Sequence, residues 1–169
     1  MDKLNSTEKA ILQSVALKLG VKTDSLYGLI NFESNWNPMA QNAKSSAKGL
    51  IQIIDVNAQK LGYKNSWDMI QKNPTIQQQL TNCVYPYLKS YMPFKTEQAL
   101  FMSVFYPKAM YWPETKQFPD SVVAVNSGIR TPLDYIKKVY LKMSMTYVPT
   151  FIILLFAGAT ALLILSKKL

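Results

Sequence analysis

Glu33 is the one carboxylate in "NFESNWNPMAQNAKSSAKGLIQI", Asn31 to Ile53, a stretch otherwise rich in amides, serines and small residues. Ile30 and Phe32 precede it and Trp36 follows. A carboxyl held among apolar side chains resists ionisation, so its pKa rises. A raised pKa suits a general acid that protonates a leaving oxygen near neutral pH. Hydrolysis of a sugar link usually takes a second carboxylate. The nearest acids in sequence have no obvious claim to that role, since Asp24 reads as a helix cap and Asp55 sits just past the Gln52 turn.

The rest of the composition narrows the chemistry. The 169 residues contain no histidine and one cysteine, Cys83. Ser-His-Asp and Cys-His sites, Cys/His zinc sites and intrachain disulfides are thereby excluded, and no metal or other cofactor is expected. Cys83 reads as a buried apolar residue. The formal charge is +9, carried mostly by lysines, with Arg130 the sole arginine. Dispersed lysine is a poor bidentate reader of phosphates or bases, and no nucleic-acid motif is present. Such a surface suits a polyanionic partner, a cell envelope or an anionic lipid surface, or serves solubility alone.

The elements that must position Glu33 read as helices. Asn5 with Glu8 resembles a capping box ahead of Ile11, Leu12, Val15, Ala16 and Leu19 on one helical face, and Gly20 is a plausible stop. A second helix starts at Thr23-Asp24-Ser25 and brings Glu33 near its end, before Asn37-Pro38 breaks it. Residues 38–48 read as a loop, Gly49 to Lys60 as a third helix, Ser66 to Lys72 as a short one and Pro74 to Leu88 as a longer one. Glu97 to Tyr106 is apolar on most sides and reads as a central buried helix. Residues 107–131, rich in proline and aromatics, read as an ordered loop, and Pro132 to Met145 as a last helix. The fold class is mainly α, and no strand pattern or repeat stands out.

"ESNWNP", "SAKGLIQI" and "ALFMSVFYP" resemble, in order and at about the expected separations, the three motifs of the soluble lytic transglycosylases, which share a lysozyme-like fold. The resemblance covers roughly Val21 to Tyr140. It implies a peptidoglycan lytic transglycosylase that cleaves between N-acetylmuramic acid and N-acetylglucosamine without water. One glutamate protonates the glycosidic oxygen. The same group then takes the proton of the muramic acid 6-hydroxyl, which closes on the anomeric carbon to give a 1,6-anhydro sugar. Such an internal attack is entropically favoured, so one carboxyl serves twice.

By this resemblance Glu33 is the acid/base and Ser34 helps to orient the site. Gly49 lets backbone approach the sugar, Gln52 contacts substrate or the glutamate, and Tyr106 is the tyrosine hydrogen-bonded near the carboxyl. The third motif departs from the family's Tyr-Asn-Ala-Gly, reading Tyr106-Pro107-Lys108-Ala109; Ala124 to Gly128 is a second candidate that keeps the asparagine as Asn126. Trp36, Tyr111 and Trp112 can stack on sugar rings or pack as core, while Tyr85, Tyr87 and Tyr91 read as packing. The loop Phe118 to Ile136 resembles phage-borne versions of the domain. Two other readings stay open: a retired enzyme serving as a structural or wall-binding membrane protein of a virion, and a goose-type lysozyme using Asp55 or Asp68 as the second carboxylate.

Residues 1–146 are therefore expected to form the catalytic domain and 147–169 a membrane anchor. Val148 to Leu165 is an uncharged apolar run, about 27 Å long as a helix and close to the thickness of a bilayer core. Tyr147 and Lys167-Lys168 flank it as interfacial anchors would. The N-terminus lacks the pattern of a secretory signal. The expected partners are peptidoglycan glycan strands, a lipid membrane through 148–165 and the virion capsid or other membrane proteins, with no nucleic acid. The expected location is the internal membrane of a virion, or otherwise a bacterial membrane.

Overall fold

The computed structural model describes residues 3–146, and these are mainly helical. The helices are α1 (Ser6–Leu19), α2 (Thr23–Ser34), α3 (Asp55–Lys60), α4 (Ser66–Lys72), α5 (Ile76–Gln79), α6 (Tyr85–Lys89), α7 (Glu97–Phe105), α8 (Asp120–Val125) and α9 (Pro132–Thr146). The expected membrane anchor, 147–169, lies outside the described residues. Among the described residues no helix is long and apolar enough to cross a membrane.

Local chemistry sets the ends that matter. The Asn5 side chain accepts from the Glu8 N–H while the Glu8 carboxylate accepts from the Asn5 N–H, each at 2.9 Å, and Gly20 closes α1 at φ +67°. Helix α2 ends at Asn35 (φ 55°), and Trp36 continues in the left-handed region (φ 65°), a conformation uncommon for a bulky side chain. Trp36 is buried and packs on Tyr27, ring centroids 5.0 Å apart.

The expected helix from Gly49 to Lys60 begins only at Asp55. Lys48 and Ile53 exchange backbone hydrogen bonds of 3.1 and 2.9 Å, closing residues 48–53 into a turn. Gly49 (φ +78°) and Gln52 (φ 52°) are left-handed within it, which an α-helix excludes. β structure among the described residues is limited to isolated bridges at Gln41–Lys48 and Lys48–Ile53.

The segment expected from Pro74 to Leu88 runs from Ile76 to Lys89 through a π-helical turn, Leu80–Val84. Pro86 has no N–H to offer the Asn82 carbonyl, so the helical ladder slips by one residue there. The Tyr63 hydroxyl reaches that carbonyl at 3.4 Å. The stretch 107–131 is more ordered than a loop: it holds a 3₁₀ turn, Pro107–Ala109, and α8. Two bonds tie it to the start of α9, Phe118 N–H to Arg130 O at 2.8 Å and Leu133 N–H to Glu114 O at 2.9 Å.

Helix α7 is the centre of the core, with Ala99, Leu100, Phe101 and Met102 fully buried. Helix α9 lies along α2. Gly28 permits that approach, because a Cβ there would fall 2.1 Å from the Met143 sulfur. The α2–α9 seam positions the site.

Candidate active site

Glu33 sits one residue from the end of α2, against the face of α9 that carries Tyr135, Val139 and Lys142. Those three positions recur at helical spacing and so share one side. The Tyr135 hydroxyl donates to Glu33 Oε1. Tyr135 is almost fully buried, its ring 5.1 Å from Phe32 edge-on and 4.6 Å from Phe105. Packing on both sides fixes the phenol, so the donor is preorganised. Lys142 donates to the Phe32 carbonyl at 3.2 Å and holds its charge close to Glu33.

These surroundings set the proton affinity of the carboxyl. Burial raises the Glu33 pKa from 4.5 to about 7, against the opposing pull of the Tyr135 hydrogen bond and the Lys142 charge. Burial also pushes Tyr135 well above the ordinary phenol value, reinforced by the charge and hydrogen bond of Glu33. Tyr135 therefore remains the donor while Glu33 titrates. Lys142 is lowered by burial and by the charge of Lys3, with Glu33 acting against both. Tyr87 feels the Glu33 charge as well, although burial is the largest reason its phenol is raised. It donates to the Ser103 carbonyl at 3.0 Å and accepts from Tyr91 at 3.5 Å.

The other expected site residues are placed as follows. Ser34 is buried and donates back to the Ile30 carbonyl at 3.1 Å, which makes it a helix-end residue rather than a partner of Glu33. Gln52 folds over its own turn, its amide nitrogen donating to the Gly49 carbonyl at 2.9 Å. The space beside Gly49 belongs to Gln79, whose Oε1 lies 2.6 Å from where a Cβ would stand. Gln79 also accepts from the Leu50 N–H at 2.9 Å and donates to Pro38 O at 2.6 Å and Asn73 O at 2.9 Å. One buried amide thus clamps the turn that presents Gln52. Asn126 closes α8, donating to the Val122 carbonyl at 2.9 Å.

Tyr106 requires a correction. It ends α7, as expected, but its ring packs on Trp112 and Phe118 at 5.8 and 5.5 Å. The tyrosine hydrogen-bonded to Glu33 is Tyr135. Tyr135 and Lys142 are the residues beside Glu33 that sequence reasoning missed, while Tyr87 packs as expected. The available signal was a tyrosine and a lysine seven positions apart on the inner face of α9.

The candidate second carboxylates are occupied elsewhere. Asp55 accepts from the Ser66 N–H at 2.9 Å and hydroxyl at 2.6 Å, joining the starts of α3 and α4, and those bonds hold its pKa low. Asp68 accepts from the Lys64 N–H and pairs with Lys72, each at 3.0 Å. Glu33 thus combines a carboxyl that exchanges a proton near neutrality with one fixed neutral donor, and the charge that acts on it is that of Lys142.

Residues 11–92 match the family model of the transglycosylase SLT domain. The matched stretch includes Glu33, Gly49 and Gln52 and stops short of Tyr106 and Tyr135. No curated protein and no solved structure matches the chain.

Proposed function

We propose that this chain is a peptidoglycan lytic transglycosylase with Glu33 as its single acid/base. The observation that carries the reading is the pKa of about 7 on a carboxyl held by Tyr135, inside a stretch that matches the SLT domain. Near neutral pH the carboxyl exists in both forms. Protonated, it gives its proton to the glycosidic oxygen. Ionised, and stabilised by the Tyr135 hydroxyl, it takes the proton of the muramic acid 6-hydroxyl as that oxygen attacks the anomeric carbon. The bond to the leaving sugar breaks, the 1,6-anhydro ring forms, and the proton returns to Glu33 for the next cycle. Gln52 faces the sugar from its clamped turn.

The test compares the full chain in detergent with Glu33→Gln on purified peptidoglycan. Fragments lighter than hydrolytic muropeptides by one water, released only when Glu33 is intact, support the reading. Fragments that have gained a water place the chain with hydrolases, and no release at all favours a structural or wall-binding role.

The apolar run 148–165 supports a further part of this reading, insertion in a lipid bilayer, since its length suits a membrane core. We place that bilayer in a virion, from which the domain meets a wall from outside. Mass spectrometry of purified particles tests this, and absence of the protein from them rejects it.

A further inference from the structure

A cavity of about 390 Å³ lies at the start of α7, away from Glu33. Helix α7 separates the two: Glu97 at its first residue lines the cavity and Phe105 at its last packs on Tyr135, a helical span of about 12 Å. The cavity wall carries Glu97, Gln98, Tyr111, Trp112, Glu114 and Tyr140. On a chain with a net charge of +9, no lysine or arginine among the described residues lines this cavity.

Each polar group there has acceptor capacity to spare. Glu97 accepts from the hydroxyls of Ser25 and Tyr140, both neutral donors. Gln98 is more than nine-tenths buried; its amide nitrogen donates to Ala109 O at 3.2 Å and Trp112 O at 2.7 Å, while its side-chain oxygen accepts no hydrogen bond from the described residues. The Glu114 side chain is exposed and has no hydrogen bond or ion pair among the described residues. An independent observation identifies the complementary charge. The Lys116 ammonium stands 4.0 Å from the centroid of Trp112, so a ring that forms this wall already holds a cation from its own chain.

Carboxylates, an open amide oxygen and aromatic faces together suit a donor with positive charge. We propose that this cavity binds the primary ammonium group of a peptide side chain. Resting on the proposed function, the amine is one carried by the peptide stems of the wall.

The full chain in detergent is titrated with Nα-acetyl-lysine methylamide, and with Nα-acetyl-norleucine methylamide as the uncharged match, followed by NMR. Saturable binding of the lysine compound alone is expected, weakened about fivefold in Glu114→Gln and more in Tyr111→Leu. Glu114 makes no bond that the fold needs, so this variant reads the site even if Glu97→Gln fails to fold. Equal binding of the norleucine compound, or unchanged affinity in Glu114→Gln, overturns the proposal. A second arm compares native walls with walls whose amines are acetylated. Slower release from acetylated walls, with that preference lost in Glu114→Gln, is expected. If neither wall is cut, the catalytic reading fails, while the titration still decides the cavity.

Discussion

The Tyr135 hydroxyl donates to the Glu33 carboxylate across 102 positions of the chain. The acid belongs to the stretch that matches the SLT domain and its donor to α9, well beyond it. The site is therefore complete only when α9 is docked on α2, an approach that Gly28 makes possible.

This pairing predicts the pH dependence of the activity. In the proposed reaction Glu33 acts first as an acid, so kcat/KM is expected to fall as pH rises through about 7. The Tyr135 hydrogen bond lowers the Glu33 pKa, so Tyr135→Phe moves this alkaline limb to higher pH. It also slows the reaction by about tenfold to a hundredfold, because the ionised form loses its stabilising donor. A pH–rate profile of the two proteins checks both effects. An unmoved limb rules out Glu33 as the group titrating there.

The same carboxyl leaves a mark on stability. Its folded pKa, about 7, lies above the ordinary 4.5, so the folded state holds the proton more tightly than the unfolded one. Its stabilising contribution is complete below pH 4.5 and is lost as pH rises through about 7. The shift corresponds to about 3 kcal/mol. Glu33→Gln is expected to match the wild type near pH 4.5 and to exceed it by up to that amount at alkaline pH. Urea titrations at both ends of the range measure the difference.

Why the sequence singles out Glu33 but not the tyrosine bonded to it follows from the physics of each. Glu33 is marked locally, by apolar neighbours and by the nearby Gly49–Gln52 stretch. The ends of α1 are legible for the same reason, since capping boxes and left-handed glycines act within a few residues. Tyr135 is marked only by where α9 docks, a long-range packing outcome. Tyr106 drew attention because it ends the buried helix, yet the chain turns there and carries its ring onto Trp112 and Phe118. The turn at Gly49–Gln52 was misread as helix because its apolar residues fit helical spacing. What decides it is the buried Gln79 amide, thirty positions on, which holds Leu50 in place.

That clamp predicts a coupling between Gly49 and Gln79. Gly49→Ala adds a Cβ 2.6 Å from Gln79 Oε1 at a residue with φ +78°. The left-handed backbone alone costs about 1–2 kcal/mol, and the collision adds to it. In a Gln79→Ala background the collision disappears and only the backbone cost remains. The double mutant is therefore expected to be more stable than the sum of the single losses predicts, by about 1 kcal/mol. Denaturant midpoints of the four proteins give the cycle, and strict additivity contradicts the clamp.

The occupied state of Asp55 and Asp68 separates the two kinds of sugar-cutting chemistry. An enzyme that hydrolyses needs a second carboxylate to activate water. Asp55 is held by Ser66, and Asp68 by Lys64 and Lys72. Asp68→Asn removes an exposed ion pair, so its stability is expected to change little. Asp55→Asn loses a charge-assisted bond between α3 and α4 and is expected to lower stability. Neither substitution is expected to lower the rate of wall cleavage more than about twofold or to alter the mass of the products, provided the assay is run below each variant's unfolding temperature. A rate loss of about a hundredfold or more in either variant, at intact fold, would instead assign that aspartate to the reaction and turn the chemistry from internal attack to hydrolysis.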